Sequence, residues 1–170
     1  MLIAGILNLT PDSFFDGGRH RLPIDAGLRL IDEGADQLDI GGESTRPGSE
    51  PVSVDEELRR VLPVIEALAH RTVVSVDTTK PEVARRALQA GARVVNDVSG
   101  LRAPGMLRVI AEARAGAVVM HMRGLPRTMQ ADTHYDGLVR QIYEFLEERL
   151  GAAREAGIQE LWADVGIGFG

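Results

Sequence analysis

Aliphatic residues in this chain come in short unbroken runs, and each run stops at a polar residue. Residues 2–8 read LIAGILN and end at Asn8. The later runs are DQLDI around Asp39, TVVSVD ending at Asp77, ARVVND ending at Asn96 and Asp97, GAVVMHM reaching Met120 and His121, and ELWAD ending at Asp164. Continuous rather than alternating runs are expected of parallel strands covered on both faces. They predict strands near 2–8, 36–40, 73–77, 93–96, 116–121 and 160–164, adjacent to one another in chain order.

Between the runs the period changes to that of helices. Ser53 and Glu56 make a capping-box pattern, after which Val54, Leu58, Val61, Leu62, Ile65 and Leu68 fall on one face. Pro63 lies inside that pattern and predicts a kink or a later start. Thr79, followed by Pro81 and Glu82, predicts a cap for the next helix, with Gly91 as its stop. The longest helix is predicted over 137–156, with Leu138, Ile142, Phe145, Leu146 and Leu150 on its buried stripe and Gly157 as terminator. Residues 123–136 read as the longest loop.

Strand–helix alternation of this kind predicts an α/β fold with a parallel sheet. The strand ends recur at intervals of roughly 30 residues, so eight such units would come to ~250 residues, the usual size of a (β/α)8 TIM barrel. This chain then holds about six of the eight β/α units, in a single domain over 1–170 with no linker or shift of composition. A doubly wound open sheet is the rival, and it suits the length of 170 residues.

Composition narrows the function. A hydrophobic content of 44% with only 4% aromatic residues describes a soluble chain with an aliphatic core. A net charge of −6 argues against nucleic acid as partner, because phosphate neutralisation needs a basic face. No apolar run approaches the ~20 residues of a membrane span. No basic segment precedes the first apolar run, so no signal peptide is expected. The absence of cysteine removes disulfides, thiolate nucleophiles and zinc–thiolate sites. A cytoplasmic location follows as the expectation.

Active sites of parallel α/β folds lie at the carboxyl ends of their strands. Asn8, Asp39, Asp77, Asn96, His121 and Asp164 all fall there. A single such residue is a turn former, but six facing one crevice predict a binding site. Asp and Asn offer planar acceptors and donors with little positive charge, which suits a flat, nitrogen-rich heterocycle. The stretch GGESTRPGS, 41–49, adds glycines, hydroxyls and Arg46, a set suited to phosphate. It lacks the ending of a Walker loop. The four histidines show no paired metal spacing, His121 reads as a hydrogen-bonded structural residue, and the acidic run 55–57 reads as a helix first turn. Trp162 is expected in the core.

Taken in order, NLTPDSFFDGG, DIGGESTRPG, VSVDTTKPEVA, VVNDVSG, MHMRG and ADVGIGFG resemble the dihydropteroate synthase family over essentially the whole chain. The resemblance implies the (β/α)8 barrel. It also implies a folate-pathway transferase joining 6-hydroxymethyl-7,8-dihydropterin diphosphate to p-aminobenzoate, with pyrophosphate leaving and Mg2+ assisting. By the same resemblance, Asn8 contacts the diphosphate and the Mg2+, and Asp16 lies on the first loop near the metal and the reacting centre. Thr45 and Arg46 hold diphosphate and shape the p-aminobenzoate site, with Phe14 and Pro47 against its ring. Asp77, Asn96 and Asp164 read the pterin edge, with Met120 and Phe169 packing near its faces.

The chain departs from the family pattern at three places. Val165 stands where the family has Pro, Phe15 where it more often has Ser, and the motif ADVGIGFG closes the chain where the family continues with Lys. Six barrel units leave two sheet edges open. Further chain, a second copy forming a homodimer, or marginal stability are the three readings of those edges. The alternatives in function are a non-catalytic pterin-binding remnant and the pterin-binding domain of a methyltransferase, although the latter does not explain STRPG. A polypeptide of these 170 residues is expected to bind pterin more nearly normally than it turns over.

Overall fold

A computed structural model describes residues 1–10, 21–45, 49–124 and 128–169. Among them six strands alternate with five helices. The order is β1 (Ala4–Asn8), α1 (Arg21–Asp32), β2 (Gln37–Gly41), α2 (Val54–Leu68), β3 (Val73–Asp77), α3 (Pro81–Gln89), β4 (Val94–Asp97), α4 (Met106–Ala113), β5 (Gly116–Met120), α5 (Leu138–Glu155) and β6 (Leu161–Asp164). All pairings are parallel, and the sheet order is β1-β2-β3-β4-β5-β6. An order that never reverses excludes the doubly wound sheet, which must switch direction at its ligand crevice. These are six consecutive units of a (β/α)8 barrel, with β1 and β6 as the sheet edges.

Side chains alternate across a strand, so register assigns each residue to a face. Leu7, Leu38, Ile40, Val74, Val76, Val95, Ala117 and Val119 are buried on the helix side. There they join Val61, Val64, Ile65 and Leu68 of α2, Val83, Ala84 and Ala87 of α3, and Met106 and Ile110 of α4 in one cluster. The opposite, inward face carries the rows Ile6–Asp39–Ser75–Val94–Gly116 and Asn8–Gly41–Asp77–Asn96–Val118–Trp162. The upper of these rows ends β1, β2 and β3 and lies one residue from the end of β4, and it carries polar groups on three of those four strands.

Several local expectations are corrected. Ser53 does cap α2, accepting from Glu56 N–H at 3.2 Å, and the helix then runs through Pro63 without a later start. At α3 the cap position is held by Lys80, not Thr79, and no side chain caps it; Pro81 leads the helix because its missing N–H is not needed there. Gly91 and Gly157 take positive φ, as their roles as terminators require. Leu138 is 50% exposed, so it lies off the buried stripe of α5, where Leu146 and Ala153 are the buried residues. Trp162 is 41% exposed rather than core, because it points inward from the edge strand β6, where no further strand lies beside it among the described residues. The acidic run 55–57 is the first turn of α2, as read, and Glu57 within it is fully buried.

Candidate active site

The inward row at the strand ends brings three of the sequence-derived candidates together. A Cβ on Gly41 would stand 3.4 Å from both Asn8 Oδ1 and Asp77 Oδ2, so those two side chains flank the glycine at close range. Absence of a side chain at 41 is what leaves the space between them. Asp77 pairs across the ladder with Asn96. Asn96 Nδ2 donates to Asp39 Oδ2 at 2.9 Å, and Ser75 Oγ donates to Asp39 Oδ1 at 2.5 Å. Asp39 therefore fixes the Asn96 carboxamide, committing one of its two N–H groups and leaving its oxygen as an acceptor.

Asp77 differs from its neighbours in having an orphan. Its Oδ1 is shut off from solvent and has no hydrogen-bond partner. Burial pushes its carboxyl well above the usual carboxylate range, and Asp39, Asp97, Glu57 and Glu43 add repulsion. Asp39 is also raised by burial, against the lowering effect of its bonds from Ser75 and Asn96. Buried polar atoms in native proteins are nearly always bonded, so the exception marks a place where a ligand donor fits.

Met120 and Asp164 pair at the top of β5 and β6. Asp164 is exposed, and its Oδ1 accepts from Gly166 N–H at 2.8 Å, which turns it toward its own loop. Met120 forms a small apolar cluster with Val98, Met122 and Met129, against which Phe169 packs. Thr45 is half-buried in the segment after β2. Phe14, Asp16, Arg46 and Pro47 lie outside the described residues. His121 is structural as expected: it is buried, its ring bonds the Val165 carbonyl, and Phe145 meets it edge-on at 5.1 Å. Burial and then Arg102 lower its pKa below the ordinary imidazole value.

Sequence reasoning singled out neither Asp97 nor Lys80 for a role. Asp97 faces away from the row and accepts from Ser99 N–H at 2.7 Å and Leu101 N–H at 3.1 Å, holding Leu101 at a φ of 59°. Lys80 binds Glu43 and Glu57. Glu57 carried a legible signal, since 57, 61, 64, 65 and 68 share one helical face and a charge on that face needs a partner. No group of three or more acidic, histidine or cysteine side chains among the described residues is arranged to hold a metal ion. A single hard oxygen, the exposed carboxamide of Asn8, does fit Mg2+, which keeps several waters and takes substrate phosphate oxygens as its other ligands.

Polar groups gathered at the carboxyl ends of parallel β/α-barrel strands stand where enzymes of this fold build their active sites. Residues 4–170 match the pterin binding enzyme family, and the chain belongs to it. It is 47% identical to the dihydropteroate synthase of Escherichia coli K12 over 99% of this chain and 62% of that protein. The Xanthomonas albilineans dihydropteroate synthase, solved with 4-aminobenzoic acid, superposes with a TM-score of 0.91 at 51% identity, covering 99% of this chain and 62% of that one. The Burkholderia cenocepacia dihydropteroate synthase complexed with 7,8-dihydropteroate gives 0.89 at 44% identity, covering 99% and 59%. The chain thus spans about three fifths of the length of these relatives.

Proposed function

We propose that this protein is a dihydropteroate synthase, condensing 6-hydroxymethyl-7,8-dihydropterin diphosphate with p-aminobenzoate to give 7,8-dihydropteroate and pyrophosphate. The observation that carries the reading is the orphaned Asp77 carboxyl in the strand-end row, beside an Asn96 amide oriented by Asp39. A pterin presents amino and ring N–H groups along one edge, which are the donors that an Asp77 carboxylate and the free Asn96 oxygen accept. Asp164 completes that edge when its carboxylate is shared between Gly166 N–H and the ligand. Met120 and Phe169 supply apolar contact to the ring faces.

The reaction forms one bond and breaks another. The amine nitrogen of p-aminobenzoate attacks the pterin methylene carbon, the carbon–oxygen bond to the diphosphate breaks, and the amine loses a proton to solvent. Negative charge collects on the departing diphosphate, so Thr45 and Arg46 act by donating to its oxygens as it leaves. Thr45 and Arg46 also help shape the p-aminobenzoate site, with Phe14 and Pro47 against its ring. Asp16 stabilises positive charge developing on the methylene. Asn8 would hold Mg2+, which would supply charge neutralisation to the leaving group. A cytoplasmic location and a homodimer complete this reading. Among the described residues no helix is long and apolar enough to cross a membrane.

The test is a calorimetric titration with pterin and with pterin diphosphate, each with and without Mg2+, alongside a condensation assay with p-aminobenzoate. Asp77→Ala removes a charge-assisted bond and should weaken pterin binding by roughly 1.5–3 kcal/mol. Unchanged affinity in that variant would refute the assignment of Asp77.

A further inference from the structure

Outside the strand-end row, the fully buried Glu57 meets its charge partner in Lys80. This lysine follows Asp77, Thr78 and Thr79 directly and opens α3. Its Nζ donates to Glu43 Oε2 at 2.6 Å and to Glu57 Oε2 at 2.5 Å. Glu57 is fully buried in α2, and its other oxygen has no partner, so Lys80 is what neutralises it. Glu43 lies two residues before Thr45, and the same Oε2 accepts from Val52 N–H at 2.7 Å. One carboxylate oxygen therefore joins both ends of the segment that links β2 to α2, and Lys80 fastens that junction to the turn carrying Asp77.

The backbone of this segment is seated as well as tied. Arg60 Nη1 donates to the Gly42 carbonyl at 2.7 Å, while Arg60 Nε bonds Glu56 Oε1 at 2.7 Å. A Cβ on Gly42 would stand 2.9 Å from Glu57 Cγ and from Val61 Cγ1, so the chain lies directly on α2 above the ion pair. Burial alone would depress the Lys80 pKa, but the two carboxylates outweigh it and hold it above its ordinary value. The two carboxylates thus favour the charged ammonium.

A buried ion pair is a weak device for stability, since apolar residues of similar volume often serve as well, but it fixes geometry by direction and charge. Here the elements it joins are the two that carry Thr45 and Asp77. We propose that Lys80, clasped by Glu43 and Glu57, is a positioning residue that sets the segment bearing Thr45 against the Asp77 pocket, so that the arylamine substrate is held in register with the pterin. The substrate names rest on the function proposed above; the clasp itself does not.

The experiment uses the full protein and the variants Lys80→Met, Lys80→Arg and Glu43→Gln, with amide exchange as a readout that needs no ligand. In Lys80→Met the amides of 42–45 and 49–53 should exchange faster by about tenfold or more while β1 to β3 stay unchanged. Calorimetry should show affinity for p-aminobenzoate, measured with pyrophosphate and Mg2+, falling by about tenfold, with pterin affinity within about threefold of the parent. Lys80→Arg should restore most of that loss. Glu43→Gln keeps an acceptor for both Lys80 and Val52, so it folds even where the methionine variant does not, and it should show a smaller loss in the same direction. Unchanged exchange in the segment would overturn the proposal, as would equal losses for both ligands, the sign of a merely structural ion pair. If the parent binds neither ligand, the substrate reading fails, and amide exchange alone still decides whether the clasp holds the segment.

Discussion

At the scale of single residues, the strand-end row is defined by what it withholds. Asp77 has a buried oxygen with no donor, and Asp39 and Asp97 add charge nearby. All three carboxyls are raised by burial above their ordinary 3.8. A carboxyl raised in the fold binds its proton more tightly there than in the unfolded chain. Its contribution to stability is therefore complete below the ordinary value and is lost as pH rises through the raised one. Asp77→Asn removes one such loss. The melting temperature of that variant relative to the parent should climb as pH is raised from 4 toward neutrality, and a pH-independent difference would show that Asp77 ionises freely. The same residue shows where sequence reading reached its limit. A strand-end Asp is legible as a site candidate, but the missing partner is a property of three strands brought side by side. Asn96 and Asp97 are adjacent in sequence, and only register shows that the first faces the row while the second braces the Leu101 turn.

At the scale of elements, the strands were readable because each is an unbroken aliphatic run covered by helices, and the helices because their apolar stripes keep the helical period. What escaped were the junctions. Thr79 looked like a cap and Lys80 drew no reading at all, since nothing in the local pattern tells that Glu43 and Glu57 converge on position 80. The loop after β6 makes the same point. Gly166 has a φ of 67°, and a Cβ there would lie 1.9 Å from the His121 carbonyl oxygen. The glycine lets this loop pass against the end of β5, where His121 bonds the Val165 carbonyl. Gly166→Ala should destabilise the fold by roughly 2–4 kcal/mol through forced backbone displacement and left-handed strain, read by urea denaturation. A loss below about 0.5 kcal/mol would mean that the loop relaxes freely, as at ordinary surface positions.

At the scale of the whole molecule, the two edges of the sheet stand out. Ile6 on β1 is 67% exposed and Trp162 on β6 is 41% exposed, although both point to the inward face that a closed barrel fills with packed side chains. Unpaired edge strands with apolar neighbours promote association. A polypeptide of these 170 residues should therefore self-associate, and Ile6→Lys with Trp162→Glu should reduce that association in light scattering while leaving the helical circular dichroism intact. Scattering unaffected by the pair would show that the edges are not the sticky surface. The sequential strand order has a further result, in time rather than space. Each strand pairs with the one made just before it, so a growing chain adds to a finished edge and never inserts between two strands. The bonds among Asp39, Ser75 and Asn96 close within the first 97 residues. Synthesis at roughly 5–20 residues per second leaves several seconds between that point and Gly170. The pocket wall can thus be standing while the later part of the barrel is still being translated.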